Sequence, residues 1–339
     1  MSKAFIKFSW LTLLFIYLVV IAGSVVRSSG SGMGCPDWPK CFDQVVPPTD
    51  VTQLPENYKD IYVNKRKQKV NKFAKVLTVF GMSEVAKKLK NDKSLLKEQD
   101  FNWKRTWTEY GNRLVGFISG NLVLTTFIWV LIAYRNKRNL VVLSFINLIL
   151  LVFEAWLGSI VVATNLVPWV LTVHMLFALL IIWLQIKIIL IAKNESFQIK
   201  MSKTFKNLFY LSILLSVVQI LLGTQVRQEV DFMVADNVDR ASWISQMNIQ
   251  FFLHRSLIWM VLIVNGFLFW LNKTNNYGLI MFTYIIGLIG VEFLTGILFA
   301  YAGMPAILQP IHLVVGSLML AMQLYGLKFF KYKRASLIR

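Results

Sequence analysis

Three histidines occur in the 339 residues, His174, His254 and His312, and each stands in an apolar stretch. Asn112 occupies a comparable place in a fourth stretch. Two imidazoles from facing helices of a bundle, with no cysteine or aspartate beside them, suit axial ligation of a haem iron better than a four-coordinate zinc site. Arg27, Arg113, Arg227 and Arg255 stand at the ends of such stretches. If haem propionates point the same way, these cations would be their partners. Each residue also has a plainer reading, since a lone helical histidine is commonly a packing residue and an interfacial arginine can snorkel. The positions of the whole set decide between these readings, and those positions depend on the elements that carry it.

The chain is 56% hydrophobic with a mean hydropathy of +0.57, and only 16% of its residues are charged. That is too apolar for a water-soluble domain of this length, so the expected solvent is a bilayer. Eight stretches of spanning length can be read, at about 8–26, 114–134, 140–163, 167–192, 208–226, 251–271, 279–302 and 307–329. The first, preceded by Lys3 and Lys7, is longer than a signal-peptide core and has no A-x-A site before Arg27, so it is read as a helix. Basic residues of the short loops (Arg135, Lys137, Arg138, Lys193 to Lys206, Lys273) and of the tail (Lys328, Lys331, Lys333, Arg334, Arg339) fall on one side, which predicts cytoplasmic termini. The formal charge of +19 is accounted for by these loops and by a Lys-rich outer segment, about 27–107, read as a solvated insertion that touches anionic headgroups. No nucleic-acid partner is expected. There is no Rossmann glycine fingerprint, P-loop or zinc spacing.

The chain repeats itself in order. Gly23-Ser-Val-Val-Arg27 answers Gly223-Thr-Gln-Val-Arg227, and Asn112-Arg113 answers His254-Arg255. Glu154 with Gly158 answers Glu292 with Gly296, and Pro168 with His174 answers Pro305 with His312. The Glu154/Glu292 and His174/His312 pairs share an offset of 138, the first pair has 200, and the outer insertion makes the difference. An even number of helices per half gives parallel repeats related by an axis near the membrane normal. The expected fold is an all-α integral membrane protein of eight transmembrane helices, as two pseudo-symmetric four-helix bundles at 1–195 and 196–339. Asn112, His174, His254 and His312 then lie within about the first two turns of helices running inward from the outer face, at similar depth. Polar residues in such places are costly and usually functional.

Glu154 and Glu292 stand nine and ten residues before the predicted ends of their helices, about 13–15 Å deep at 1.5 Å per residue. They need partners within the bundle, and a structural role is expected for both. Glu109 and Asn112, three apart, share a helix face, and their counterparts are Phe251 and His254. One half thus offers an acid and an open iron face, the other an apolar neighbour and a closed iron.

The run Gly23-Ser-Val-Val-Arg27-Ser-Ser-Gly-Ser-Gly32-Met-Gly-Cys35-Pro-Asp-Trp-Pro-Lys-Cys41 resembles the first-loop signature of haem A synthases, membrane enzymes that oxidise a methyl group of haem O to the formyl group of haem A. The resemblance covers nearly the whole chain apart from the Lys-rich insertion. It implies a b-type haem between His254 and His312, and a substrate haem O site in the N-terminal half with His174 and Asn112 as iron neighbours. Arg113 and Arg27 would serve the substrate site, Arg255 and Arg227 the cofactor site. Where the family has Glu-x-x-His-Arg, this chain has Glu109-Tyr-Gly-Asn112-Arg113, and a carboxamide is a poor ligand for haem iron. Glu109 is the candidate catalytic residue, as a base or as an anion offsetting positive charge near the methyl group. Cys35 and Cys41, in a Pro-rich loop on the oxidising side, are expected to form a disulfide, which the resemblance supports; a redox relay is the alternative.

The implied partners are membrane lipids, haem O, haem O synthase and an electron acceptor such as quinone, with homo-oligomers left open. No mitochondrial-type leader precedes the first helix, which points to a bacterial plasma (inner) membrane. Two other readings compete: a two-haem b-type membrane cytochrome that only carries electrons, and a haem transporter or chaperone that leaves haem unaltered.

Overall fold

A computed structural model describes residues 1–32, 34–37, 40–79, 81–91, 100–163, 168–194 and 199–330. The basic tail residues Lys331, Lys333, Arg334 and Arg339, together with Trp38 of the loop signature, lie outside these. The described chain is helical: α1 (Lys3–Ser28), α2 (Tyr58–Val79), α3 (Ser83–Asn91), α4 (Trp103–Ala133), α5 (Arg138–Ala163), α6 (Pro168–Lys193), α7 (Lys203–Ala235), the single turn α8 (Trp243–Gln246), α9 (Ile249–Thr274), α10 (Met281–Tyr301) and α11 (Leu308–Gly326). Eight of these, all but α2, α3 and α8, are long and apolar enough to cross a membrane. Large apolar side chains such as Phe117, Ile132 and Ile263 face outward with two-thirds or more of their surface exposed, as lipid-facing residues do.

Two helices overrun their apolar stretches. α4 starts at Trp103 because Asn102 caps it, its side chain accepting from the Lys104 and Arg105 amides, and the polar first turns are satisfied above the apolar region. Asn112 therefore stands almost three turns into its helix, deeper along it than the two turns expected. α7 likewise continues through Arg227 and Asp231 to Ala235.

Within each half the four long helices close a ring. α1 packs on α4 and α6, with α5 between those two; α7 packs on α9 and α11, with α10 between them. The halves meet through α1 and α6 against α11 and α7. Tyr17 donates to the Ser317 carbonyl at 3.0 Å and Thr172 meets Thr224 at 2.9 Å across that seam.

The repeat persists at single bonds. Ser2 and Ser202 cap α1 and α7 by accepting from the Phe5 and Phe205 amides, and both phenylalanines are fully buried. The amides of Ser2 and Ser202 donate to the hydroxyls of Tyr134 and Tyr277 at 3.0 and 3.1 Å, and each tyrosine ring lies edge-on to its phenylalanine. Gln185 and Gln323, 138 apart, are buried on the fourth helix of each half and reach back to the first, donating to the Ser9 carbonyl and the Ser212 hydroxyl. In an apolar medium such interhelical amide bonds fix helix register, because an unmade bond there is expensive.

The Lys-rich segment is more than a solvated insertion. Val70, Phe73, Ala74 and Leu77 on α2, with Ala86 and Leu89 on α3, form a buried cluster with Leu157 and Ile160 of α5 and Val170 of α6. The helical spacing of 70, 73, 74 and 77 produces this apolar face. It docks the α2–α3 hairpin onto one end of the N-terminal half.

Candidate functional site

The histidines of the two fourth helices are seated alike. His174 Nδ1 lies 3.0 Å from Glu154 Oε1, and His312 Nδ1 lies 2.8 Å from Glu292 Oε2 and 2.7 Å from the Thr295 hydroxyl. Each carboxylate comes from the neighbouring third helix, 20 positions earlier in the chain. A carboxylate against Nδ1 orients the ring and leaves Nε2 as the nitrogen that can meet a ligand. The partners required by Glu154 and Glu292 are thus the histidines themselves, a pairing that the equal spacing of the two halves hints at and only the structure shows.

Glycines decide what faces these rings. A Cβ on Gly223 would stand 3.3 Å from His254 Cε1, so α7 passes close to that imidazole; a Cβ on Gly158 would stand 3.4 Å from His174 Cε1. The repeat partner of Gly223 is Gly23, and a Cβ there would stand 3.9 Å from Asn112 Oδ1. Asn112 thus occupies in the N-terminal half the place of His254 in the other. Its Oδ1 is buried and has no hydrogen-bond partner among the described residues.

In the C-terminal half the rings of His254 and His312 have centroids 6.1 Å apart. That spacing lets one metal atom be shared by both rings, given metal–imidazole bonds of about 2 Å. Among the described residues no group of three or more His, Cys, Asp or Glu could hold a metal ion. A two-imidazole donor set without further ligands fits a haem, whose macrocycle supplies the remaining coordination.

The arginines are more committed than expected. Arg27 and Arg227, equivalent in the repeat, are both held by Asp231: Arg27 Nε donates to Oδ2 at 3.0 Å and Arg227 Nη2 lies 2.7 Å from Oδ1. Arg227 also donates to Gln309 Oε1. One carboxylate therefore ties the two halves together, and its repeat counterpart is Ser31, so no symmetry argument reveals it. Arg27 Nη1 is buried without a hydrogen-bond partner among the described residues. Arg255 is exposed and lies over the rings of Phe251 and Phe252 at 5.9 and 5.8 Å.

Arg113 turns into the first loop, donating to the carbonyls of Cys35 and Asp37 and to Glu109 Oε1, the last at 2.5 Å. Glu109 is buried and its Oε2 accepts from the Cys35 amide at 2.8 Å. Cys35 and Cys41 form the expected disulfide, both fully buried. Asp37 closes the ring by accepting from the Phe42 and Asp43 amides at 2.7 and 2.8 Å, at residues whose φ is positive (54° and 61°). Thr106 donates to the Gly34 carbonyl at 2.8 Å, and a Cβ on Gly34 would come within 2.6 Å of the Arg105 backbone, so only glycine lets the loop lie against α4. The loop is thereby built onto the helix that carries Asn112.

Fold and site define a class: a polytopic helical membrane protein whose two related bundles each carry, near the end from which α2 and α3 extend, an imidazole backed by a carboxylate. The chain belongs to the COX15-CtaA family of cytochrome oxidase assembly proteins, whose family model matches residues 6–80 and 83–324. It is similar to the heme A synthase of Shewanella oneidensis, 27% identical over 173 residues, which are 50% of this chain and 41% of that protein. It is similar also to the heme A synthase of Ehrlichia canis, 27% identical over 219 residues, 62% of this chain and 56% of that one. The matched stretches thus span about half the length of these relatives.

Proposed function

We propose that this protein is a haem A synthase, an oxidoreductase that converts the C8 methyl group of haem O to a formyl group to supply haem A for terminal oxidases. The observation that carries the reading is the inequality of two otherwise matched sites, His254 facing His312 in one half and Asn112 in the equivalent place beside His174 in the other. A two-haem cytochrome that only carries electrons is served by two closed irons, whereas chemistry is served by an open position. The names of the two relatives support the substrate.

His254 and His312 would hold a b-type haem, which supplies an electron-accepting centre when bound. In the N-terminal half His174, oriented by Glu154, binds the iron of haem O, and Asn112 leaves the opposite side weakly held. The unpaired Nη1 of Arg27 and the exposed guanidinium of Arg255 are the cations best placed to take propionates, the first at the seam and the second on the C-terminal half. Arg113 acts differently from the assignment the resemblance implies: it holds Glu109 and the disulfide loop beside the substrate site. With both oxygens engaged, Glu109 acts as the anion that offsets positive charge rather than as a free base. The disulfide is structural in this reading. Orientation by the positive-inside rule puts both termini in the cytoplasm of a bacterium and this site at the outer side of its inner membrane, where haem O synthase and a quinone can be partners.

Pigment analysis tests the proposal. Co-expression with a haem O supply should yield haem A from the wild type, and haem O with retained b haem from Glu109→Gln. A wild type that makes no haem A overturns the enzyme reading.

A further inference from the structure

The α2–α3 hairpin does not lie flush on the membrane bundle. Between α2 and α5 it leaves a crevice of about 130 Å³, lined by Lys69, Lys72, Phe73 and Val76 on one side and Trp156 and Ser159 on the other. This is too small for a porphyrin ring. Its α5 wall faces away from His174: Glu154 and Gly158 of α5 face that ring, while Trp156, between them in sequence, points away and is 44% exposed.

Charge and shape there are both one-sided. α2 carries Lys59, Lys65, Arg66, Lys67, Lys69, Lys72 and Lys75 against a single acid, Asp60. Lys59 is paired with Asp100 and Lys65 with Asp43, but Lys69 and Lys72 form no ion pair among the described residues. The nearest carboxylates to Lys69 are already used, Asp37 by the Phe42 and Asp43 amides and Glu109 by Arg113 and Cys35. Partial desolvation, with Arg113 and Arg66 nearby, holds the Lys69 ammonium below its ordinary pKa, against the pull of Asp37 and Glu109. Below the crevice, Ile149, Val152, Phe153 and Trp156 are exposed at spacings of three and four along α5, a continuous apolar track on the lipid-facing flank.

We infer that the crevice between α2 and α5 is a binding site for one anionic phospholipid, its phosphodiester between Lys69 and Lys72 and an acyl chain along the Trp156 track of α5. A cationic pair above a tryptophan at the membrane interface, opening to an apolar helix flank, matches the amphipathic order of such a lipid. The lipid would rivet the hairpin to the N-terminal half.

The full-length protein in mild detergent tests this by native mass spectrometry and thermal melts, with phosphatidylglycerol, phosphatidylcholine and inorganic phosphate as probes. Phosphatidylglycerol should be retained and should raise the melting midpoint, and phosphatidylcholine should do neither. Lys69→Gln with Lys72→Gln should weaken phosphatidylglycerol retention about thirtyfold, the loss expected for two interfacial cations. The control Lys67→Gln with Lys75→Gln, on the same helix but outside the crevice, should retain it as the wild type does. Equal retention of both lipids, indifference to the Lys69 and Lys72 changes, or an equal midpoint shift from inorganic phosphate alone would each overturn the lipid site.

Discussion

In the half formed by α7, α9, α10 and α11, His254 faces His312 and Glu292 stands behind the latter. In the half formed by α1, α4, α5 and α6, Glu154 stands behind His174 in the same way, but the residue opposite is Asn112. The third and fourth helices thus carry the same Glu–His pair in both halves, with Thr295 added beside His312 where the other half has Leu157, and the residue facing the histidine differs on the second. The second helices also differ at two neighbouring positions. Glu109 and Arg113 of α4 bind the disulfide loop, whereas their counterparts on α9 hold no loop: Phe251 is buried in an apolar cluster and the exposed Arg255 lies over its ring. A duplicated scaffold has therefore kept its ligand-orienting machinery twice and its loop-holding machinery once. The loop is found in the half where Asn112 stands in place of a second imidazole, which is the arrangement expected if that half acts on its haem and the other conducts electrons.

The largest effects should follow from the ligands. His254→Ala or His312→Ala is expected to remove the tightly held b-type haem almost completely, while His174→Ala leaves it in place. Haem extraction with a pyridine haemochrome spectrum measures this directly, and loss of the same haem in all three variants would mean that the two halves do not bind independently. A sharper test is Asn112→His. If that one residue separates the sites, a haem-loaded variant should go from about one to about two low-spin, two-imidazole irons per chain by electron paramagnetic resonance. An unchanged spectrum would show that the halves differ by more than their facing side chains.

Much of this comparison could be read from the sequence. The eight apolar stretches and the equal offset of the Glu and His pairs reveal the scaffold and its duplication, because a bilayer leaves few ways to satisfy a backbone. Helix ends were less legible. α4 and α7 carry charged residues in turns outside the apolar region, where hydropathy falls but Asn102 and the continuing helix keep the amides bonded. The His partners of Glu154 and Glu292 lay in plain view in the 20-residue spacing, yet spacing along the chain does not show that the third and fourth helices bring those atoms within 3.0 Å. Asp231 was illegible for a different reason: it bonds across the seam between repeats, and the repeat predicts nothing where its counterpart is Ser31.

That seam supplies a smaller prediction. Asp231→Asn leaves Arg27 and Arg227 facing each other without their shared anion, a change that should cost about 2 kcal/mol for charged hydrogen bonds at a partly buried site. Thermal melts in detergent should show a lowered midpoint, with Asp236→Asn, an exposed residue one turn on, nearly silent. If the two variants melt alike, Asp231 does not hold the halves together.

The smallest effect concerns how the loop is fastened to one half only. Gly34→Ala places a methyl group within 2.6 Å of the Arg105 backbone, and neither the loop nor the first turns of α4 can yield without breaking the Thr106 bond to the Gly34 carbonyl. The expected cost is about 1–2 kcal/mol, in the range of overpacking. The more specific readout is hydrogen exchange at the Cys35 amide, whose protection depends on Glu109 and should fall sharply. Gly32→Ala serves as the matched control, because its Cβ would meet Val26 at an ordinary 3.9 Å. Protection of Cys35 that survives Gly34→Ala would separate Glu109 from the loop and leave its role in the substrate half to be sought in Arg113 alone.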